Sequence, residues 1–255
     1  MLRRLVKYRF LFEELVKRDF KKKYKRTTLG ILWSLISPLA MLLVMALVFS
    51  HLLGHNTPHF IIYLFAGLVN FSYFSDATSG GMQSIFQNSG IFSKVDIPKY
   101  MFLFSRNIQS FINFSLVLVI FFIFVAIEGL PFSWQFIMLL YPIICMTIFN
   151  IGVGLVLSSM MIMFRDTEYL YTIFTQILMY LSAIFYDINM FPPHIQYLFY
   201  MNPIFVYIRY FRKIVIEGDI PALNFHLLCA FYALTMLVIG CFVYVRTNKK
   251  FLYYI

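Results

Sequence analysis

The side chains able to do chemistry in this 255-residue chain are arranged for binding and passage more than for breaking bonds. His51, His55 and His59 recur at intervals of four, a spacing that brings imidazoles to one face of a helix and would let them share a metal ion. Gly54 and Pro58 interrupt such a helix and no carboxylate stands beside them in the sequence, so an incidental cluster is favoured over a metal centre. Cys145, Cys229 and Cys241 lie singly inside apolar stretches and read as structural thiols. No G-x-x-x-x-G-K phosphate loop, H-E-x-x-H zinc motif or G-x-S-x-G nucleophile turn occurs. What remains is polar residues in apolar surroundings. Asn70, Ser72, Tyr73, Ser75, Asp76, Thr78 and Ser79 follow one another closely, and Tyr169, Thr172, Gln176, Tyr180 and Ala183 repeat at intervals of three and four. In hydrocarbon such groups must face partner helices or an aqueous route. Asp76 and Arg106 are expected at similar depth and near one another, as a structural ion pair or a gating element.

The elements that must position these residues are long and greasy. The chain is 61% hydrophobic with a mean hydropathy of +0.79, far above an average soluble domain. Apolar stretches lie near 29–53, 60–82, 101–127, 134–163, 168–186 and 223–245. Each matches the roughly 20 residues that cross about 30 Å of hydrocarbon. Leu, Ile and Phe run consecutively instead of alternating, which points to helices and not barrel strands. The expected fold is therefore an all-α polytopic membrane protein with six transmembrane helices.

Charge sets its orientation. Eleven of the 21 Lys and Arg precede the first span, three fall between Gln83 and Arg106, one is Arg165 and three lie in the tail. Only Arg209, Arg212 and Lys213 fall on the other side, so both termini are expected in the cytoplasm. Positive charge distributed by membrane side suits anionic lipid headgroups and excludes nucleic acid as the partner the net charge of +10 would otherwise suggest. No cleavable signal peptide is expected, because the basic segment is too long.

Three shorter segments complete the expectation. Residues 1–28 carry Leu5, Tyr8, Phe12, Leu15 and Val16 at helical spacing, as in an amphipathic helix lying in the cytoplasmic interface. Residues 83–94 have too few apolar side chains to span and suit a short cytoplasmic helix. Residues 187–222, divided by Pro192-Pro193 and Asn202-Pro203, suit short re-entrant or interfacial helices before the last span, one of them over Ile204–Glu217 and ending at Gly218. Thr147, Asn150, Gly154 and Ser158 share a face that favours a packing seam over a catalytic constellation.

Arg18-Asp19-Phe20, Lys23-Tyr24-Lys25, Leu29-Gly30-Ile31-Leu32-Trp33 and Pro38-Leu39 resemble the opening of the polysaccharide-exporting ABC transporter permeases. The resemblance continues through Phe65-Ala66-Gly67-Leu68, Ser93-Lys94-Val95, Phe164-Arg165-Asp166, Ile184-Phe185-Tyr186 and Asn202-Pro203. It implies a permease that is not itself an enzyme, in the inner membrane, paired with a second copy of itself and with two nucleotide-binding ATPase subunits. No cofactor is then bound by this chain; ATP and Mg belong to the partner ATPase. It further implies ATPase docking by Gln87, Asn88, Ser89, Ile91, Phe92 and Lys94, and a lipid-linked glycan, O-antigen ahead of capsule or teichoic acid, carried on undecaprenyl pyrophosphate. Lys25 and Arg26 would stand at the substrate entrance, and Tyr73, Gln176 and Tyr180 along the conduit. Many such permeases carry a Pro after the Ser in the fifth span, where this chain has Ser182-Ala183, which predicts a straighter helix there. A drug or small-lipid exporter, or a passive channel, are the competing expectations.

Overall fold

A computed structural model of the chain describes residues 8–24, 30–53, 59–92, 97–248 and 251. Among these, every regular element is helical. Helix α1 (Arg9–Tyr24) precedes a 3-10 turn (Gly30–Leu32) and α2 (Trp33–Leu53). The long α3 (Phe60–Gln87) is followed by the single turn α4 (Ser89–Phe92) and by α5 (Tyr100–Ile127). A 3-10 stretch (Trp134–Leu139) leads into α6 (Leu140–Met163), and α7 (Thr167–Leu181) follows. The short α8 (Pro193–Phe199) and α9 (Pro203–Arg212) precede the last helix, α10 (Leu223–Asn248).

Among the described residues, four helical stretches are long and apolar enough to cross a membrane: Phe60–Ile91, Tyr100–Ile127, Trp134–Met163 and Leu223–Asn248. Helix α2 is a further apolar helix of 21 residues. Helix α7 has 15 residues, about 22 Å at 1.5 Å per residue, which falls short of the roughly 30 Å of hydrocarbon. The span expected over 168–186 thus stops at Leu181, where Ala183 takes a left-handed backbone (φ 49°). The missing proline does not straighten this region; the helix breaks without it.

The expected boundary at residue 82 also moves. Helix α3 runs unbroken through Gln87, so the first part of the segment 83–94 belongs to the long helix. The physical reason is local: Ser84 Oγ donates to the Gly81 carbonyl (2.6 Å) and Asn88 Nδ2 to the Ser84 carbonyl (2.6 Å), so these polar groups are satisfied within the helix. Elsewhere the punctuation follows the sequence. Pro203 occupies the first turn of α9, the Asn202 side chain caps it by accepting from Ile204 N (3.0 Å), and Gly218 (φ 68°) ends the π-helical turn Lys213–Glu217.

Helix α3 is the centre of the bundle. It packs along α5 and α6 and also touches α2, α7 and α9. Phe65 meets Phe121 and Phe124 edge-on at 5.5 and 5.4 Å, and the polar face of α6 expected to be a seam does pack here, with Gly154 against Gly81. Helix α10 lies along α6, and their backbones touch at Gly152 and Gly240. A second apolar cluster closes one end of the bundle, where Leu15 of α1 meets Ile85, Ile97, Met101, Tyr244 and Phe251. Lys99 Nζ donates there to the Asn248 carbonyl (3.2 Å). The start and the finish of the described chain therefore share one end of the bundle. Arg9–Glu13 and Lys17–Glu14 pairs (2.8 Å each) decorate the outer face of α1; the Glu14 hydrogen bond raises the Lys17 pKa, but such exposed pairs add little stability.

A Cβ on Gly152 would stand 2.6 Å from the Met236 backbone. Gly152→Leu is expected to force α6 and α10 apart and to destabilise the protein by at least about 1–3 kcal/mol, read as a lower thermal midpoint in detergent. Gly90→Ala, at a position with open space, should leave that midpoint unchanged.

Candidate functional site

Most of α3 is packed, and its less buried polar positions fall on one side that faces α2 and α5 across a gap. Along this side run Ser72, Ser75, Asp76, Ser79, Gly80, Gln83 and Gln87, spaced by about one helical turn and half-buried or exposed. Polar groups on an otherwise buried helix thus converge on a single stripe. Arg106 of α5 reaches this stripe, with Nη2 3.9 Å from Asp76 Oδ1 and each side chain about a third exposed (29% and 33%). The guanidinium also donates to Gln109 and lies against Gly80, where any Cβ would collide with it. Glycine at that position is what lets the cation lie flat on α3.

The lower end of the stripe is tied to α7. Gln83 Nε2 donates to Glu168 Oε1 (2.7 Å), and Gln87 Nε2 donates to Gln83 Oε1 (2.7 Å), so a short relay joins the last turn of α3 to the first turn of α7. Arg165 stands over the Phe86 ring at 5.2 Å from the connecting turn. Of the docking candidates, Gln87 is exposed, Asn88 and Ser89 are half-buried at the junction of α3 and α4, and Ile91 packs on the end cluster. Helix α1 enters the same end through Asp19, whose carboxylate pairs with Arg18 (2.7 Å) and accepts from Ser105 Oγ of α5 (2.9 Å). Lys25, Arg26, Lys94 and His55 lie outside the described residues, as do the side chains of Phe92 and His51.

The three conduit candidates part company. Gln176 and Tyr180 stand on the exposed face of α7 beside Thr172, while Tyr171 and Thr175 face inward and Tyr171 donates to Thr78 Oγ1 (2.6 Å). Tyr73 is enclosed: its hydroxyl bonds to Thr147 Oγ1 (2.9 Å) and its ring stacks on Phe114 at 4.5 Å. At the opposite end from α1, His59 finds a carboxylate after all, with Nδ1 3.3 Å from Glu128 Oε1 across 69 residues of chain.

Beyond Leu181 the chain is held by side chains. Arg212, 1% exposed, donates Nε to the Tyr63 carbonyl (3.0 Å), Nη1 to that of Ala183 (2.8 Å) and Nη2 to that of Ile184 (3.0 Å), while its guanidinium lies 3.4 Å from the Tyr63 ring centroid. Tyr63 OH donates to the Tyr186 carbonyl (2.7 Å), and Asn202 Nδ2 to the Leu181 carbonyl (3.2 Å). A Cβ on Gly67 would stand 2.7 Å from Arg212 Nη2. The broken end of α7, the start of α3 and α9 are thereby locked together.

The model of a family described as ABC-2 type transporter matches residues 11–216. The chain belongs to the ABC-2 type transporter family. This ABC-2 type transporter is 23% identical over 249 residues to the O-antigen export system permease protein RfbA of Klebsiella pneumoniae, covering 95% of both chains. It is 24% identical over 246 residues to the polysialic acid transport protein KpsM of Escherichia coli, covering 93% of each. It is also 23% identical over 241 residues to the capsule polysaccharide export inner-membrane protein CtrC of Neisseria meningitidis, covering 92% of this chain and 90% of that one.

Sequence reasoning gave Arg212 of this ABC-2 type transporter no role beyond its count among the outer cations. No local signal singles it out, since Arg209 and Lys213 share the same largely apolar and aromatic stretch from Phe205 to Ile216. Arg212→Met would remove three hydrogen bonds from a charged donor, each about 1.5–3 kcal/mol. Amide hydrogen exchange at 183–186 and along α9 is expected to accelerate at least about tenfold before that of α5 or α6 changes. Equal protection in the variant would remove Arg212 as the anchor.

Proposed function

We propose that this ABC-2 type transporter is the membrane-spanning subunit of an exporter that moves a lipid-linked polysaccharide outward from the cytoplasmic side. The observation that carries the reading is similarity over nine-tenths or more of the chain to O-antigen, polysialic acid and capsule export proteins. The polar stripe of α3 beside the polar-aromatic face of α7 supports it. Sugars offer hydroxyls that need polar partners and CH faces that pack on rings, and the two faces together supply both.

In this reading six segments cross the membrane. Helix α2 is the first, and α7 with the turn and short helices after it forms the fifth and its outer mouth. Both termini lie in the cytoplasm, where α1 rests in the interface among anionic lipids of the inner membrane. A second copy of the chain covers the exposed face of α7, so that Gln176 and Tyr180 line a conduit between two protomers. Two ATPase subunits, which bind ATP and Mg, dock on Gln87, Asn88, Ser89, Ile91, Phe92 and Lys94. The Gln87–Gln83–Glu168 relay then passes their movement to α7. Lys25 and Arg26 receive the pyrophosphate of an undecaprenyl-linked glycan, with O-antigen ahead of capsule or teichoic acid.

A second reading, export of a small lipid, draws on one feature. A cavity of about 420 Å3 enclosed by Phe74, Phe149, Val153, Tyr171 and Ile204 has almost wholly apolar walls.

The deciding experiment places the chain and its co-purifying ATPase in vesicles and follows an undecaprenyl-pyrophosphate-linked glycan. ATP-dependent translocation is expected. Movement of small lipids alone would favour the second reading, and conduction without ATP would overturn both. In the same vesicles Tyr180→Ala is expected to lower glycan flux at least about tenfold without loss of the assembled complex; unchanged flux would take Tyr180 out of the path. Asn88→Arg should lower the yield of ATPase complex while membrane insertion stays normal, and unchanged yield would reject the docking assignment.

A further inference from the structure

A cavity of about 660 Å3 lies where α1 meets the groove between α5 and α6. Its walls are almost entirely apolar, with Phe104 and Phe111 from α5, Ile144 and Ile151 from α6 and Phe12 from α1; Arg9 stands at its α1 end. The groove exists because α5 and α6 both pack along α3 and touch each other far less. It follows the two helices from Phe104 to Phe111, about two turns or roughly 10 Å, leading away from the end of the bundle where Leu15 packs. Its walls are within reach of an occupant, since Phe111 is 38% and Ile144 57% exposed.

Hydrocarbon chains are the natural filling of an apolar groove in a bilayer. Apolar walls alone do not choose among lipids, because a lipid tail is as apolar as the side chains it meets. The selective element is the charge at the mouth. Arg9 Nε donates to Glu13 Oε1 (2.8 Å), while its two terminal nitrogens are bonded to no described residue. The Arg9–Glu13 pair is exposed and therefore weak, so it yields readily to a stronger acceptor. Two N–H groups in one plane match two oxygens of a phosphate. Arg3, Arg4 and Lys7 precede Arg9 in the sequence and make the segment leading into it strongly cationic. The other apolar cavity, beside α7, has no charged side chain among the described residues of its walls and offers no such selection.

We propose that this groove holds one anionic glycerophospholipid per protomer, with an acyl chain between α5 and α6 and the phosphate on the Arg9 guanidinium. Leu15 and Asp19 already fix the later half of α1 to the bundle, and the lipid ties down its first turn. The proposal rests on the reading that lays α1 in the cytoplasmic interface and is independent of the cargo.

Native mass spectrometry reads the site on full-length protein stripped of lipid in detergent and titrated with phosphatidylglycerol, phosphatidylcholine or glycerol phosphate. One saturable phosphatidylglycerol adduct per protomer is expected, at least about fivefold tighter than phosphatidylcholine, with no glycerol phosphate adduct at the same concentrations. Arg9→Gln is expected to abolish that preference, whereas Lys21→Gln, at an exposed cation of α1 outside the groove, keeps it. Ile144→Trp fills the groove from an exposed wall position and should weaken both lipids at least about fivefold. Equal binding of the two lipids, the same loss of preference in Lys21→Gln, unchanged affinity in Ile144→Trp, or a glycerol phosphate adduct of equal strength overturns the proposal. The placement of α1 is checked separately. Phe10 is 78% exposed, and Phe10→Trp combined with Trp33→Phe and Trp134→Phe leaves one indole on α1, to be quenched by brominated phosphatidylcholine in nanodiscs. Quenching without a selective adduct sinks the lipid site alone, whereas no quenching sinks the interface placement and the site with it.

Discussion

A helix that stops inside an apolar bundle leaves carbonyl oxygens with no amide to answer them, and the arrangement of the half of this protein away from α1 follows from how that is solved. Helix α7 ends at Leu181, and side chains brought from elsewhere satisfy the carbonyls beyond it: Asn202 at Leu181, Arg212 at Ala183 and Ile184, Tyr63 at Tyr186. Where water is excluded an unmet carbonyl costs more than almost any single contact returns. The guanidinium is the one side chain that can serve three carbonyls from a single planar fork, and its charge is spread over the Tyr63 ring at 3.4 Å. Gly67 is the space it occupies.

Helix α3 solves a different problem with the same economy of positions. It must be apolar enough to be buried by α5 and α6 and polar enough to present a wettable stripe. The two demands are separated by helical periodicity, with Phe71, Phe74, Ala77 and Thr78 turned inward and Ser72, Asp76, Ser79 and Gln83 turned out. Thr78 and Ser84 return their hydroxyls to carbonyls of α3 itself, so inward polarity carries no debt. Tyr73 belongs to the packed side, where Thr147 accepts or donates at its hydroxyl.

What the sequence makes legible is what local rules govern. Apolar runs mark the long helices, Pro203 and Gly218 mark the limits of α9 and its π-helical extension, and residue counting brings Asp76 near Arg106. The break after Leu181 has no such marker, since Ser182-Ala183-Ile184-Phe185-Tyr186 contains neither Gly nor Pro. The side chain that satisfies its carbonyls, Arg212, lies 29 residues beyond Ala183, and a propensity argument cannot see that far. The same holds for Glu128 beside His59, and for Ser105 beside Asp19 across 86 residues. Hydropathy also separates residues 83–87 from the helix that they continue. It scores Gln83, Ser84 and Gln87 as if they faced lipid, whereas each is bonded within one turn or to Glu168.

Helix α3 is 28 residues long without interruption, about 42 Å of stiff rod. Its first turn carries Tyr63, held by Arg212, and its last turn carries Gln83 and Gln87, tied to the start of α7. A rod fixed at both ends to the same neighbouring strut behaves as one side of a closed frame. Neither end of α3 can leave this strut without giving up a hydrogen bond, Tyr63 to the Tyr186 carbonyl at one end and Gln83 to Glu168 at the other.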